Sequence, residues 1–172
     1  IKSETGETLL DWEVTALELR HDTNFRDSNT GDMIDAAYIF YFRTDKTEDN
    51  FGIDGLIGTP MFRLPDAYVG RDNFDLTEDT ECKWAFNFNN SNLSRYSTGY
   101  GCNNSWMKQC PNEATLTVKK NDKEWEFTFT MLDYGMFGYT EQGTKNVLTI
   151  EWKGPATKYT GSQKNDMTDA DY

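Results

Sequence analysis

At 172 residues and 19.9 kDa the chain has the length of one domain, enough to enclose a single hydrophobic core. Seventeen lysines and arginines against 29 aspartates and glutamates leave a net charge of −12, which excludes a nucleic-acid backbone or an anionic lipid surface as a partner. No window approaches the roughly 18 continuous apolar residues of a transmembrane helix, and the low mean hydropathy of −0.77 is offset by an aromatic content of 15%, which supplies the area a core needs.

Nothing at the start reads as a signal peptide, and Ile1 reads as the first residue of a processed or trimmed chain. Residues 9–19 carry two periods at once. Leu10, Trp12, Val14 and Ala16 alternate, whereas Leu9, Trp12, Ala16 and Leu19 would share a helical face. Alternation predicts a strand with a bulge where the phase passes to Leu17 and Leu19. Residues 36–42 are apolar on both faces and rich in aromatic and β-branched side chains, so they predict a covered, central strand. Weaker strand signals lie at 56–64, where Pro60 argues for a sheet edge, and at 67–70.

Trp84, Phe86 and Phe88 alternate in the next strand signal. The clearest pattern follows at 114–131. Leu116 and Val118, then Trp125, Phe127 and Phe129, fall on one face on either side of Lys119-Lys120-Asn121-Asp122-Lys123, a break whose Asn and Asp tolerate the backbone of a tight turn. A hairpin with one wet face is predicted. Leu148, Ile150 and Trp152 alternate in a last strand, and the polar residues 161–172 read as a frayed tail behind a single domain over 1–160. Short strands separated by loops rich in Asp, Asn, Gly and Ser predict an all-β protein, an antiparallel β-sandwich of jelly-roll type, with a barrel as the alternative.

The three cysteines do not have zinc-site spacing. Cys102 and Cys110 bracket a short loop that can close as a disulfide; the other reading makes all three cysteines buried thiols. Asp22, Asn24, Asp27, Asn29 and Asp32 place oxygen donors around Gly31 and are candidate calcium ligands; the same residues serve equally as turn-capping side chains. Asp45, Asp49, Asn50 and Asp54 repeat the ambiguity. Residues 87–106 combine Tyr96, Tyr100 and Trp106 with Asn92, Arg95 and Asn103, outside any core alternation. Aromatic faces that stack on sugar rings, beside amides and a guanidinium that bind hydroxyls, make this loop a candidate glycan site. Packing of the same rings under the loop is the competing account.

No catalytic motif is legible. His21 stands alone, no nucleophile elbow or phosphate loop is present, and Glu124, Glu126 and Glu151 fall opposite the aromatic faces of their strands, toward water.

The stretches ATLTVKKNDKEWEFTFTM at 114–131 and NVLTIEWKGPAT at 146–157 resemble the C-terminal part of secreted or lipid-anchored β-sandwich lipoproteins of Bacteroidetes. Phe62-Arg63-Leu64-Pro65-Asp66-Ala67-Tyr68 resembles their Leu-Pro-x-Gly-x-Tyr turn, with Asp66 and Ala67 where glycine is usual. The resemblance implies an exported or lipid-tethered sandwich, in a group where some members bind glycans or build pilus-type surface structures, and it carries over no catalytic residue. The expectation is a monomeric, extracellular, non-catalytic module that binds a glycan. A surface or adhesion subunit that binds another protein and a lipocalin-like carrier are the alternatives, and a long unpaired edge strand would favour the adhesion subunit.

Overall fold

The computed structural model describes residues 1–24, 35–47, 58–78, 84–88, 98–101, 113–133 and 146–172. Among these residues ten strands form two sheets: β1 (Val14–Asp22), β2 (Ala37–Thr44), β3 (Met61–Pro65), β4 (Arg71–Asp75), β5 (Ala85–Phe88), β6 (Thr98–Gly101), β7 (Ala114–Asn121), β8 (Glu124–Asp133), β9 (Asn146–Pro155) and β10 (Thr157–Lys158). One sheet has the order β10-β1-β2-β3-β5-β6 and the other β4-β7-β8-β9. Neither closes on itself among the described residues, so the architecture is an all-β sandwich and not the barrel alternative. The described helices are short 3-10 turns, none long and apolar enough to cross a membrane.

Period two builds the interior. Leu116 and Val118 on β7, Trp125, Phe127 and Phe129 on β8, and Leu148 and Ile150 on β9 are buried against Leu17, Leu19, Phe40, Phe42, Phe62, Trp84 and Phe86 of the facing sheet. The intervening threonines and charges lie on the wet face, as one-sided antiparallel strands require. Trp152 continues the inward series but is only half-buried. The side chain of Phe88 lies outside the described residues. The β7–β8 turn narrows to Asp122 and Lys123, with Asp122 in the left-handed region at φ 56°. β1 carries the expected irregularity, a register shift between Val14 and Ala16 against β2.

Three expectations are corrected. β3 lies inside the six-stranded sheet, between β2 and β5, because Pro60 precedes the strand and keeps only an acceptor role, taking the Phe42 N–H at 2.9 Å. Residues 66–68 form a 3-10 turn instead of a strand; Val69 N–H returns to Asp66 O at 3.1 Å. Residues 161–172 do not fray. They wrap the edge of β1, where Asp166 N–H donates to His21 O at 2.8 Å and the Tyr172 hydroxyl donates to Leu19 O at 2.7 Å, while Met167 is buried in the core. A polar composition suggests solvation, but two apolar side chains at the right spacing are enough to dock a segment whose main chain satisfies a strand edge.

β9 and β10 belong to different sheets, and Gly154 sits where the chain crosses. Its φ of 155° and a Trp152 ring 3.3 Å from where a Cβ would stand both favour glycine. From there β10 pairs parallel with β1 only at Glu18 and Leu19. Residues 156–172 therefore cover the outer edge of β1.

Candidate functional site

A cleft of about 810 Å3 lies between β9 and the segment leading into β1. Five consecutive β9 residues line it: Val147, Leu148, Thr149, Ile150 and Glu151. Successive strand side chains point to opposite faces, so a cavity that meets all five runs along the edge of the strand, beside its main chain. Leu10, Asp11, Trp12 and Val14, together with Thr44, Pro60, Ile1, Lys2 and Thr8, complete the lining. The lining mixes two kinds of chemistry: the Trp12 ring and Leu10 stand beside two carboxylates, an ammonium and several hydroxyls.

Among the described residues β9 is the edge of its sheet. At Val147 the edge is taken: Lys2 N–H donates to Val147 O at 2.9 Å and Val147 N–H donates to Lys2 O at 2.7 Å. Both main-chain groups of Val147 thus point away from β8. By the alternation of an antiparallel ladder, those of Thr149 and Glu151 do too. Among the described residues, no main-chain hydrogen bond reaches these two residues from the cleft side. In hydrogen exchange, the Thr149 and Glu151 amides are expected to exchange at least about 100-fold faster than those of Leu148 and Ile150, which face β8. Equal protection would mean that the edge is occupied.

A second polar region lies on the outer face of the six-stranded sheet. Arg20 Nε donates to the Tyr41 hydroxyl at 3.0 Å, that hydroxyl donates to Gln163 Oε1 at 3.1 Å, and Tyr159 stacks on Tyr41 with ring centres 4.4 Å apart. Arg43 Nε donates to Glu18 Oε1 at 2.9 Å, and Arg63 is buried nearby. Arg20 and Tyr41 are covered by the C-terminal segment, so this layer fastens that segment and presents no open surface. Burial holds the Tyr41 hydroxyl well above the ordinary phenol value of 10.0, against the pull of Arg20. Its stabilising contribution is complete below pH 10 and is lost as pH rises beyond that, because the unfolded phenol ionises first. Absorbance titration should show one tyrosine that ionises only with unfolding, and the urea midpoint should fall between about pH 9 and about pH 11, values bracketing that ordinary pKa.

The sequence-predicted sites fare differently. Asn92, Arg95, Tyr96, Asn103 and Trp106 lie outside the described residues, as do Cys82, Cys102 and Cys110 and the disulfide expected between the last two. Tyr100 falls on β6, in register with Phe86 of β5, but its side chain is not among those described. Of the calcium candidates only Asp22 and Asn24 are described. Asp22 Oδ1 accepts the Asn24 N–H at 3.0 Å in a local turn, and its carboxylate lies 3.9 Å from Arg20 and 3.8 Å from Lys164. Asp27, Asn29 and Asp32 lie outside. Asp45, from the second acidic loop, pairs with Lys46 at 2.6 Å. Among the described residues no three metal-ligating side chains converge.

The His21 ring packs tilted against Tyr38 with ring centres 4.3 Å apart, and its Nε2 is 2.8 Å from Asp66 Oδ1, which ties the end of β1 to the turn after β3. Glu124 and Glu151 are exposed on the wet face of the four-stranded sheet, as predicted. The cleft residues carry no recognisable motif. The one signal available in the sequence is the alternation of Leu10 and Trp12 ahead of the first strand, an apolar pattern with no ladder to serve. No family model matches the sequence, and no curated protein or solved structure is similar to it.

Proposed function

We propose that this chain is a non-catalytic binding module and that its ligand is another protein, held along the β9 edge of the cleft. The observation that carries the reading is that, among the described residues, no main-chain hydrogen bond reaches the N–H and C=O groups of Thr149 and Glu151 on the side of the cleft. Such groups repeat about every 6.8 Å along a strand, a spacing that an extended peptide backbone matches. Soluble proteins cover or break long edges. Among the described residues this edge is paired at Val147 alone, by Lys2. Export to the cell surface belongs to the same proposal, supported by the disulfide-compatible spacing of Cys102 and Cys110.

The glycan reading keeps one specific support, the half-buried Trp12 in the cleft wall beside Thr8, Asp11 and Thr44. Parallel screening separates the two. The immobilised full chain is expected to enrich peptides from a displayed random library and to leave a glycan array blank. Sugar binding that is lost in Trp12→Ala, with no peptide enrichment, would overturn the protein-partner reading in favour of the glycan one.

A further inference from the structure

We infer that the outer edge of β1 is self-pairing: when residues 156–172 lift off it, two copies of the chain join β1 to β1 about a twofold axis at Leu19, and in the closed state that segment blocks the pairing by occupying the edge. Leu17, Leu19 and His21, which carry the edge, belong to the sheet opposite β9 and do not line the cleft.

The segment meets β1 in an irregular way. Leu17 O accepts the Thr157 hydroxyl at 3.2 Å, Leu19 O accepts the Tyr159 N–H at 3.2 Å and the Tyr172 hydroxyl at 2.7 Å, and the His21 N–H donates to Asn165 Oδ1 at 3.1 Å. Side chains thus stand in for a ladder, and β10 pairs with β1 only at Glu18 and Leu19. Covering an edge in this manner stops another strand from adding to it. The main-chain groups beneath keep the spacing that an antiparallel strand satisfies in full.

The partner is a second copy because the edge is complementary to itself. The outward main-chain groups sit on Leu17, Leu19 and His21, so an antiparallel β1 centred on Leu19 places Leu19 opposite Leu19 and Leu17 opposite His21 as hydrogen-bonded pairs. Between them Glu18 of each copy faces Arg20 of the other. Sliding the register by two residues puts Glu18 opposite Glu18 in one direction and Arg20 opposite Arg20 in the other, so charge selects the register centred on Leu19. The two groups are also prepared for each other. Glu18 Oε1 accepts from Arg43 Nε at 2.9 Å, while Oε2 is buried with no hydrogen-bond partner among the described residues. Arg20 Nη1 is held by Lys164 O at 3.1 Å, a bond that is given up when the segment leaves. Release therefore frees a charged donor for a carboxylate oxygen that lacks one. The charge of −12 on each copy opposes the approach, and screening within about 10 Å at 0.1 M salt relieves it, so pairing should strengthen as salt is added.

Two full-length variants loosen the segment, Asn165→Ala with Asp166→Ala at its surface and Met167→Asp at its buried anchor, and circular dichroism reports that the sandwich persists. Trypsin is expected to cut each after Lys164 about tenfold faster than the unmutated chain. Sedimentation equilibrium is expected to show the mass of the variants rising from 19.9 kDa toward twice that value, while the unmutated chain at the same concentration keeps the single mass. Folded variants that are cut faster yet keep the single mass would overturn the self-pairing; variants cut no faster would overturn the blocking role of the segment. Register is read by adding Glu18→Cys to one batch of a loosened variant and Arg20→Cys to another. Opposite residues of a pair without mutual hydrogen bonds lie about 4.5 Å apart at Cα, within disulfide reach, and the mixed dimer keeps one Glu18–Arg20 pair intact. A disulfide between residues 18 and 20 is expected in the mixture and in neither batch alone, the three native cysteines being common to all samples. Dimers that exchange their C-terminal segments, or pair in another register, would form no such bond and would overturn the arrangement.

Discussion

Replacing Phe127 with alanine is expected to remove about 3–5 kcal/mol of stability, the range for a large aromatic side chain deleted from a packed interior. Phe127 is fully buried at the centre of β8, and its ring centre lies 5.3 Å from Phe40, 4.7 Å from Phe42 and 4.9 Å from Phe62. Those three rings come from β2 and β3, so the residue joins the two sheets. Truncation opens a void that four-way ring packing cannot close without moving strands. Against a total stability of about 5–15 kcal/mol for a domain of this kind, the loss is a large part of what holds the sandwich together. The measurement is the urea midpoint, expected to fall by about 2 M at an ordinary denaturant slope. Thr128→Ala, the next position but on the wet face, should change stability by no more than about 0.5 kcal/mol. Similar effects for the two variants would mean that the inward face has been misassigned.

A chain ending at Lys164 is expected to lose about 2–4 kcal/mol, combining the burial of Met167 with the hydrogen bond from Tyr172 to Leu19 O. Tyr172→Phe should account for only about 0.5–1.5 kcal/mol of that, since the ring stays and the hydroxyl alone is lost. The effect of truncation should depend on pH. Lys164 and Thr23 hold the Asp166 carboxyl far below the usual carboxylate range, and Thr168 holds Asp171 below it. Carboxyls with depressed folded values stabilise the native state above their ordinary pKa of 3.8 and lose that contribution as pH falls below it. The gap between the full and shortened chains is therefore widest near neutrality and narrows below about pH 4. A gap that does not change with pH would remove the two carboxylates from the docking of this segment.

Most of the core is legible in the amino-acid sequence, because alternation is a local property. Trp125, Phe127 and Phe129 declare one face of a strand wherever that strand pairs, and the phase change at Ala16 declares a bulge without naming its partner. Pairing itself has no local signature. Arg71, Asp72 and Asn73 carry no alternation and have the composition of a loop; β4 exists only because β7 offers its edge, with Asn73 bent to φ 47° to meet it. β6 is held in the same way by β5. Pro60 cannot donate a hydrogen bond, but whether it breaks a strand or merely precedes one depends on where Met61–Pro65 begins to pair.

The candidate site shows the same division. Glu151 is legible as a wet-face residue of a strand, with Thr149 two positions before it, and Trp12 as part of an apolar alternation. Their proximity is not, since Trp12 and Glu151 come together only when β9 becomes an edge and the chain crosses at Gly154 to pair with β1. The all-β class, the inward face of the β7–β8–β9 meander and the acidic surface are set by side-chain pattern and composition, which each segment carries within itself. That residues 156–172 cover the β1 edge while β9 ends its sheet among the described residues is set only in the assembled sandwich, because a strand edge arises from which segments meet, not from what any one segment contains.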